Sequence, residues 1–252
     1  MKQNKFRLSV LMPAYNEEAT IEEILKKLLK LKDVYEIIVV NDCSTDNTEA
    51  VVKSIKSAKI KFFNHEKNQG KTAAIATAKE QASGDIIIIQ DADLEYDPDE
   101  IAGVIEPIVK GQADVVYGSR FLVRKAARVL YYYHYLANTF LTFLSNLLTN
   151  VNMTDIETCY KAFRAPILKE MQLTSKGFGM EVEITAMISR LDVRIYEVPI
   201  SYYGRTYEEG KKIGIKDGIM AIWYILFYNL FATKARGRKE YFKRVRQALG
   251  LD

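Results

Sequence analysis

The chain has 252 residues, 48% of them hydrophobic and 27% charged, with a net charge of +4 and two cysteines. That balance excludes a disordered or collagen-like polymer, and two cysteines make neither a disulfide framework nor a zinc site by themselves. No apolar stretch reaches the roughly 18–20 residues that span a bilayer.

The opening "MKQNKFRLSVLMPAYNEE" has too short an apolar part for a signal peptide and runs straight into a strand pattern. Residues 7–13 read as that strand. "NEEATIEEILKKLLKL" then places Ile21, Ile24, Leu25, Leu28 and Leu29 at helical spacing, with Asn16 as the expected cap. "YEIIVVND" is a second buried strand, "TDNTEAVVKSIKS" a helix and "KIKFFNH" a shorter strand. "GKTAAIATAKEQA" is a helix of small residues suited to close packing on a sheet. Four isoleucines, residues 86–89, form a short β-branched run of the kind buried on both faces of a parallel sheet. A helix near residues 98–110 and the strand "ADVVYGS" follow. This alternation predicts an α/β fold with a mostly parallel twisted sheet and helices on both faces.

The second half reads differently. Residues 129–151 form a long aromatic-rich helix candidate, "TDIETCYKAFR" is irregular and then extended, "EVEITAMISRL" is helical and "RIYEVPISYY" is a strand. Residues 218–232 are apolar nearly all round and precede the basic stretch "KARGRKEYFKRVR". Together they predict a helix lying in a membrane interface, with Trp223, Tyr224 and Tyr228 at headgroup level and basic residues for anionic lipid. The competing reading is a helix packed on the core or on a second subunit. The expected division is residues 1–212 as the main domain and 213–252 as interface helix and basic tail.

Polar residues gather at the predicted carboxyl ends of the strands: "PAYNE", "NDCSTD", "NQGKTAA", "DADLE" and "GSR". In open α/β sheets ligands bind at that edge, so one cleft is expected. A dinucleotide site is excluded because no G-x-G-x-x-G follows the first strand, and "NQGKT" is no P-loop because His65 stands where its first glycine is needed. Asp91 and Asp93 alternate on an extended segment and can face one hard divalent cation, Mg²⁺ or Mn²⁺.

"VLMPAYNEE", "VVNDCSTDNT", "NQGKTAAI", "QDADLE" and "YGSRF" occur in the order and spacing of the family 2 glycosyltransferases with a GT-A fold, and the chain resembles their polyprenyl-phosphate sugar synthases of the dolichol-phosphate mannose synthase type. The resemblance covers residues 7–217. It implies that Pro13, Tyr15, Glu17 and Asp42 hold the donor nucleoside, that Asp91, Asp93 and Glu95 hold the metal and diphosphate, and that Arg120 lies near the transferring phosphates. It places Arg205 and Lys211, with Lys212 as register alternative, in a loop that clamps the donor diphosphate; such cations stabilise the charge that develops on a leaving nucleoside diphosphate. His134 and Asn138 stand where some relatives carry Arg and Ser for the acceptor phosphate. Cys159 and Lys161 stand where many have Gly and Arg, and Cys159 reads as packing. Asp155 matches a position near the reaction centre, as base or as orienting group.

The resemblance therefore implies a metal-dependent inverting transferase that moves a sugar from a UDP- or GDP-sugar to polyprenyl phosphate. It would work as a peripheral enzyme on the cytoplasmic membrane face, with a separate membrane protein as a further partner. One alternative is a transferase acting on a hydroxyl of a glycan or lipid-linked saccharide, with Asp155 as base. Another is a non-catalytic membrane scaffold. Nucleic-acid binding is excluded by the lack of a recognition motif and of an extended basic face.

Overall fold

The computed structural model describes residues 6–122, 131–205, 214–232 and 236–251. Seven strands form one sheet: β1 (Leu8–Ala14), β2 (Val34–Asn41), β3 (Ile60–Asn64), β4 (Ile86–Ile89), β5 (Val115–Ser119), β6 (Lys161–Arg164) and β7 (Ile195–Pro199). Their order is β3-β2-β1-β4-β6-β5-β7. β6 runs antiparallel to both β4 and β5, and every other pairing is parallel.

Burial on two faces fixes the sheet. All four isoleucines of β4 are buried; Ile87 and Ile89 enter one core, Ile86 and Ile88 the other, as the two-residue period of a strand requires. The first core packs α3 (Lys71–Gln81), α6 (Ala165–Lys169) and α7 (Met180–Ile188) on one face, and the second packs α1 (Ile21–Lys30), α2 (Thr48–Ser54) and α4 (Ile101–Val109) on the other. In α1, Ile21, Ile24, Leu25 and Leu28 are buried, with Glu22 and Glu23 in its first turn and Lys27 and Lys30 in its last, as the helix dipole favours.

The insertion of β6 departs from a simple alternating order. The extended half of "TDIETCYKAFR" pairs Ala162 with both Ile88 and Val116, so β5 is not the neighbour of β4. Gly118 permits this crowding at the tip of β5, where a Cβ would meet Ile200 at 2.8 Å and Tyr160 at 3.0 Å.

The C-terminal segment packs on the protein. α8 (Ile215–Leu230) runs against α7 and α5 (Tyr132–Thr149), burying Ala221, Ile225 and Tyr228. Tyr228 is therefore not free for a headgroup zone, and its hydroxyl lies 3.1 Å from that of Thr174. The Tyr224 hydroxyl accepts from the Lys176 amide at 3.3 Å, while Trp223 is exposed. α9 (Arg236–Leu249) is not a solvated basic tail. Its Tyr241 and Val245 are buried, Tyr241 donates to the Ile167 carbonyl at 3.0 Å, and Arg238 meets the fully buried Glu183 at 2.6 Å. Glu183 also accepts the amides of Thr174 and Ser175. The expected domain boundary at 212/213 lies outside the described residues.

Removing one partner of a buried ion pair strands the other charge. Arg238→Ala is expected to lower the unfolding free energy by about 3–5 kcal/mol in urea titrations. A loss below about 1 kcal/mol, the value of an exposed pair, would show that α9 does not depend on this contact.

Candidate active site

Because only β6 opposes the others, the carboxyl ends of β1, β2, β3, β4, β5 and β7 share one edge. The residues following them are Tyr15–Glu17, Asp42, His65, Asp91–Glu95, Arg120 and residues 200–205.

Asp91 follows β4 and is met by Lys71, the first residue of α3. The Lys71 ammonium lies 2.9 Å from the Asp91 carboxylate, 2.8 Å from Cys159 Sγ and 3.5 Å from Glu181 Oε1. Burial opposes its charge, but Asp91, Cys159 and Glu181 outweigh that and hold its pKa well above the usual lysine value. The Cys159 thiol is pushed up by burial and then by Asp91, so it is no nucleophile, in keeping with a packing role.

Asp93 sits deeper in negative potential. Burial, then the neighbouring Asp91 and Glu95, raise its carboxyl to about 7. Leu94 between them has φ +61°, a left-handed conformation unusual for a bulky residue and found where a loop is held for function. This turn brings the Glu95 amide to Asp93 Oδ1 at 3.1 Å. The Glu95 carboxylate points away, accepting from the Tyr202 hydroxyl and the Arg205 amide, each at 2.9 Å. Among the described residues no three His, Cys, Asp or Glu side chains converge to hold a metal ion. In this arrangement the oxygens of Glu95, the expected third ligand, accept from the strap after β7.

Arg205 is brought to the cleft as expected. Its guanidinium lies 2.8 Å from Glu17 and 2.9 Å from the Asp93 carbonyl. Lys211 and Lys212 lie outside the described residues. Tyr15 is exposed at the end of β1, and Pro13 is buried within that strand opposite Val40. Asp42 is turned inward: its carboxylate meets His65 Nδ1 at 2.7 Å and accepts the Gly70 amide at 2.6 Å, fixing the start of α3. Gly70 itself has φ +87°, which favours glycine there.

Arg120 and Asp155 form one unit. Arg120 Nε and Nη2 each reach an Asp155 oxygen at 2.7 Å, and Asp155 is fully buried. The guanidinium lies 5.1 Å from the Tyr202 ring centre and 5.5 Å from that of Phe121. A carboxylate that accepts both arms of an arginine fixes the orientation of that arginine. The Asn138 amide is spent on the His134 carbonyl one turn back, at 2.9 Å, and α5 reaches the site through Tyr135, whose ring meets Phe121 edge-on at 5.3 Å.

Sequence reasoning missed three members of this centre. Lys71 was legible, since a lysine opening the helix after β3 must stand at the sheet edge. Glu181 and Glu157 were not, because a buried glutamate inside an apolar helix or an irregular loop carries no pattern. Burial, then Glu181, pushes the Glu157 carboxyl up to about 8, and one oxygen of each glutamate has no hydrogen-bond partner.

Asp93 has a folded-state pKa above its ordinary value of 3.8. Between pH ~4 and ~7 the folded chain therefore holds more protons at this group than the unfolded one, and its contribution to stability declines as pH rises through that window. In EDTA, Asp93→Asn is expected to melt progressively higher than the wild type on going from pH 5 to pH 8. Parallel melting curves across that range would refute the assignment.

Residues 9–172 match the family described as Glycosyl transferase family 2. Over 244 residues the chain is 28% identical to the UDP-N-acetylglucosamine–dolichyl-phosphate N-acetylglucosaminyltransferase of Methanococcus voltae, covering 89% of this chain and 95% of that protein. It is 28% identical to the dolichol-phosphate mannosyltransferase of Pyrococcus furiosus, covering 82% and 60%. The fold matches glucosyl-3-phosphoglycerate synthase from Mycobacterium tuberculosis bound to UDP, with TM-score 0.69, 21% identity and 88% and 80% of the two chains covered. It also matches that enzyme with Mn²⁺, UDP and phosphoglyceric acid, with TM-score 0.66, 22% identity and 89% and 79% covered. The fold is thus GT-A-like, as expected. The narrower mannose-synthase resemblance is not singled out, since relatives of different sugar specificity match equally well. The expected partners, polyprenyl phosphate and a membrane surface, are corrected: a solved structure of this fold carries a small phosphorylated acid, phosphoglyceric acid. No described helix is long and apolar enough to cross a membrane. The chain is a member of glycosyl transferase family 2, and it is a glycosyltransferase.

Proposed function

We propose that this enzyme moves a sugar from a UDP-sugar to a hydroxyl group of a small phosphorylated acceptor, assisted by a divalent cation. The observation that carries the reading is the acidic pair Asp91 and Asp93 at the tip of a rigid buried strand, flanked by the cations Lys71 and Arg205. A UDP-sugar donor is supported by the UDP in the solved structures of this fold and by the name of the Methanococcus relative.

Two carboxylates and no third protein ligand among the described residues suit Mg²⁺ or Mn²⁺, which take few protein oxygens and let phosphates complete the shell. Asp91 and Asp93 would hold the ion, and its chemistry there is to neutralise the donor diphosphate. Lys71 holds Asp91 in place and adds a positive charge beside it. Arg205, between Glu17 and the Asp93 carbonyl, ties the nucleoside end of the cleft to the diphosphate end. Arg120, oriented by Asp155, supplies positive charge for the acceptor phosphate. The proton of the attacking hydroxyl passes to the departing UDP, which leaves with the bonding pair of the anomeric carbon–oxygen bond; Asp155, with both oxygens bonded to Arg120, is a positioning residue.

Purified protein with Mn²⁺, a panel of UDP-sugars and either 3-phosphoglycerate or glycerol 3-phosphate is expected to release UDP and form a glycosylated phospho-acceptor visible by mass spectrometry. Asp91→Asn is expected to lower kcat by about 10²–10³-fold, the scale for losing a charge-stabilising group. Transfer to a short polyprenyl phosphate, with none to the small acceptors, would overturn the acceptor class. Undiminished turnover by Asp91→Asn would overturn the metal site.

A further inference from the structure

α5 and α8 pack against each other, and each turns an apolar stripe to solvent. On α5, Leu136, Phe140, Phe143 and Leu147 follow the i, i+4, i+7, i+11 spacing of one helix face, and all are exposed. On α8, Ile219, Trp223 and Leu230 occupy the i, i+4 and i+11 positions of such a face. The opposite faces already fill the core through Leu141, Thr142 and Ser145 on α5 and Ala221, Ile225 and Tyr228 on α8. The exposed stripes are thus surplus to folding.

The area is large. Tyr133, Phe143, Leu147, Ile219, Trp223 and Phe231 are 83%, 61%, 67%, 62%, 56% and 65% exposed. At about 200 Å² for each large apolar side chain, these six alone present roughly 790 Å². That exceeds the ~300–600 Å² of the largest apolar patch on an ordinary monomer and approaches the ~800 Å² that one partner buries in a standard interface.

The charge pattern selects the occupant. α5 carries no Asp, Glu, Lys or Arg in its 18 residues. α8 carries one Lys and one Asp, both in its first turn and of opposite sign. An interfacial lipid-binding helix needs a basic rim of its own, and within α5 and α8 the basic residues amount to one lysine, Lys216, beside Asp217. A neutral apolar face can meet a copy of itself about a twofold axis without like-charge repulsion, and interfaces between identical subunits are the apolar ones.

We propose that the α5–α8 face is the interface of a homodimer, in which this surface of one chain packs on the same surface of a second copy. The N-terminal end of the face adjoins the cleft, because Tyr135 on α5 packs on Phe121 beside Arg120.

The test is sedimentation velocity on the full chain without detergent at about 1–50 µM, the range in which an interface of micromolar or tighter affinity is populated. The wild type is expected at twice the chain mass. Phe143→Glu combined with Trp223→Glu is expected to sediment as a monomer, with self-association weakened at least about 10²-fold and an unchanged circular-dichroism melt. Leu147→Glu alone provides a milder second variant in the same direction. A wild type that is monomeric throughout overturns the proposal, as does a dimer that neither variant weakens. A monomeric wild type that instead co-sediments with phosphatidylcholine–phosphatidylglycerol vesicles would assign the face to lipid and equally overturn it.

Discussion

Lys71 enters the cleft where the first turn of α3 meets the tip of β4, and its ammonium stands among Asp91, Glu181 and the Cys159 thiol. Carboxylates brought this close in a medium of low dielectric repel one another by several kcal/mol unless a cation lies between them. One side chain therefore joins three separate parts of the chain: the loop after β4, the segment before β6 and the start of α7. Its position is fixed in turn by Asp42, which anchors the amide of Gly70 just ahead of it. The centre is built outward from this charge balance. At Asp93 and Glu157 burial, and after it the neighbouring carboxylates, makes the carboxyl groups hold their protons to higher pH than usual.

Two ion-paired arginines then divide the cleft. Arg205 ties the strap after β7 to Glu17 and the Asp93 carbonyl, while Arg120 is locked by Asp155 and lies against Tyr202 of the same strap. The Tyr202 hydroxyl reaches Glu95, so residues 202–205 touch both halves. A displacement of that strap would alter both arginines together, a geometric basis for coupling between the two ends of the cleft.

The strands and helices around the parallel part of the sheet were legible because their apolar residues repeat with the period of the element and sit between clear breakers. The acidic pair was legible for a related reason: a buried strand must end at an edge of the sheet, and the residues just past its tip lie open there. The elements that escaped are those whose partners are remote in sequence. β6 has four residues, with Lys at one end and Arg at the other, and nothing local announces that it slots between β4 and β5. α9 reads as a basic tail until Glu183, 55 residues away, is seen beneath Arg238. The contacts of Glu95 with Tyr202 and Arg205, more than a hundred residues later, are equally invisible in the local sequence. Composition counts charges; only the fold says which are already neutralised.

The late strand β6 also governs how the sheet is assembled. During synthesis β1 to β4 emerge first and can pair in sequence, leaving β4 as an open edge of unbroken isoleucine. β5 follows, but its hydrogen-bonding neighbours are β6 and β7, so it has no place to dock until residues 161–164 arrive. For the interval in which the ribosome adds those residues, at roughly 5–20 per second, β4 lacks its second neighbour, and an unpaired apolar edge is the kind that recruits foreign strands. The two halves of the sheet are thus locked together by a four-residue clasp, and the chain's exposure to misassembly is set by how long that clasp takes to appear.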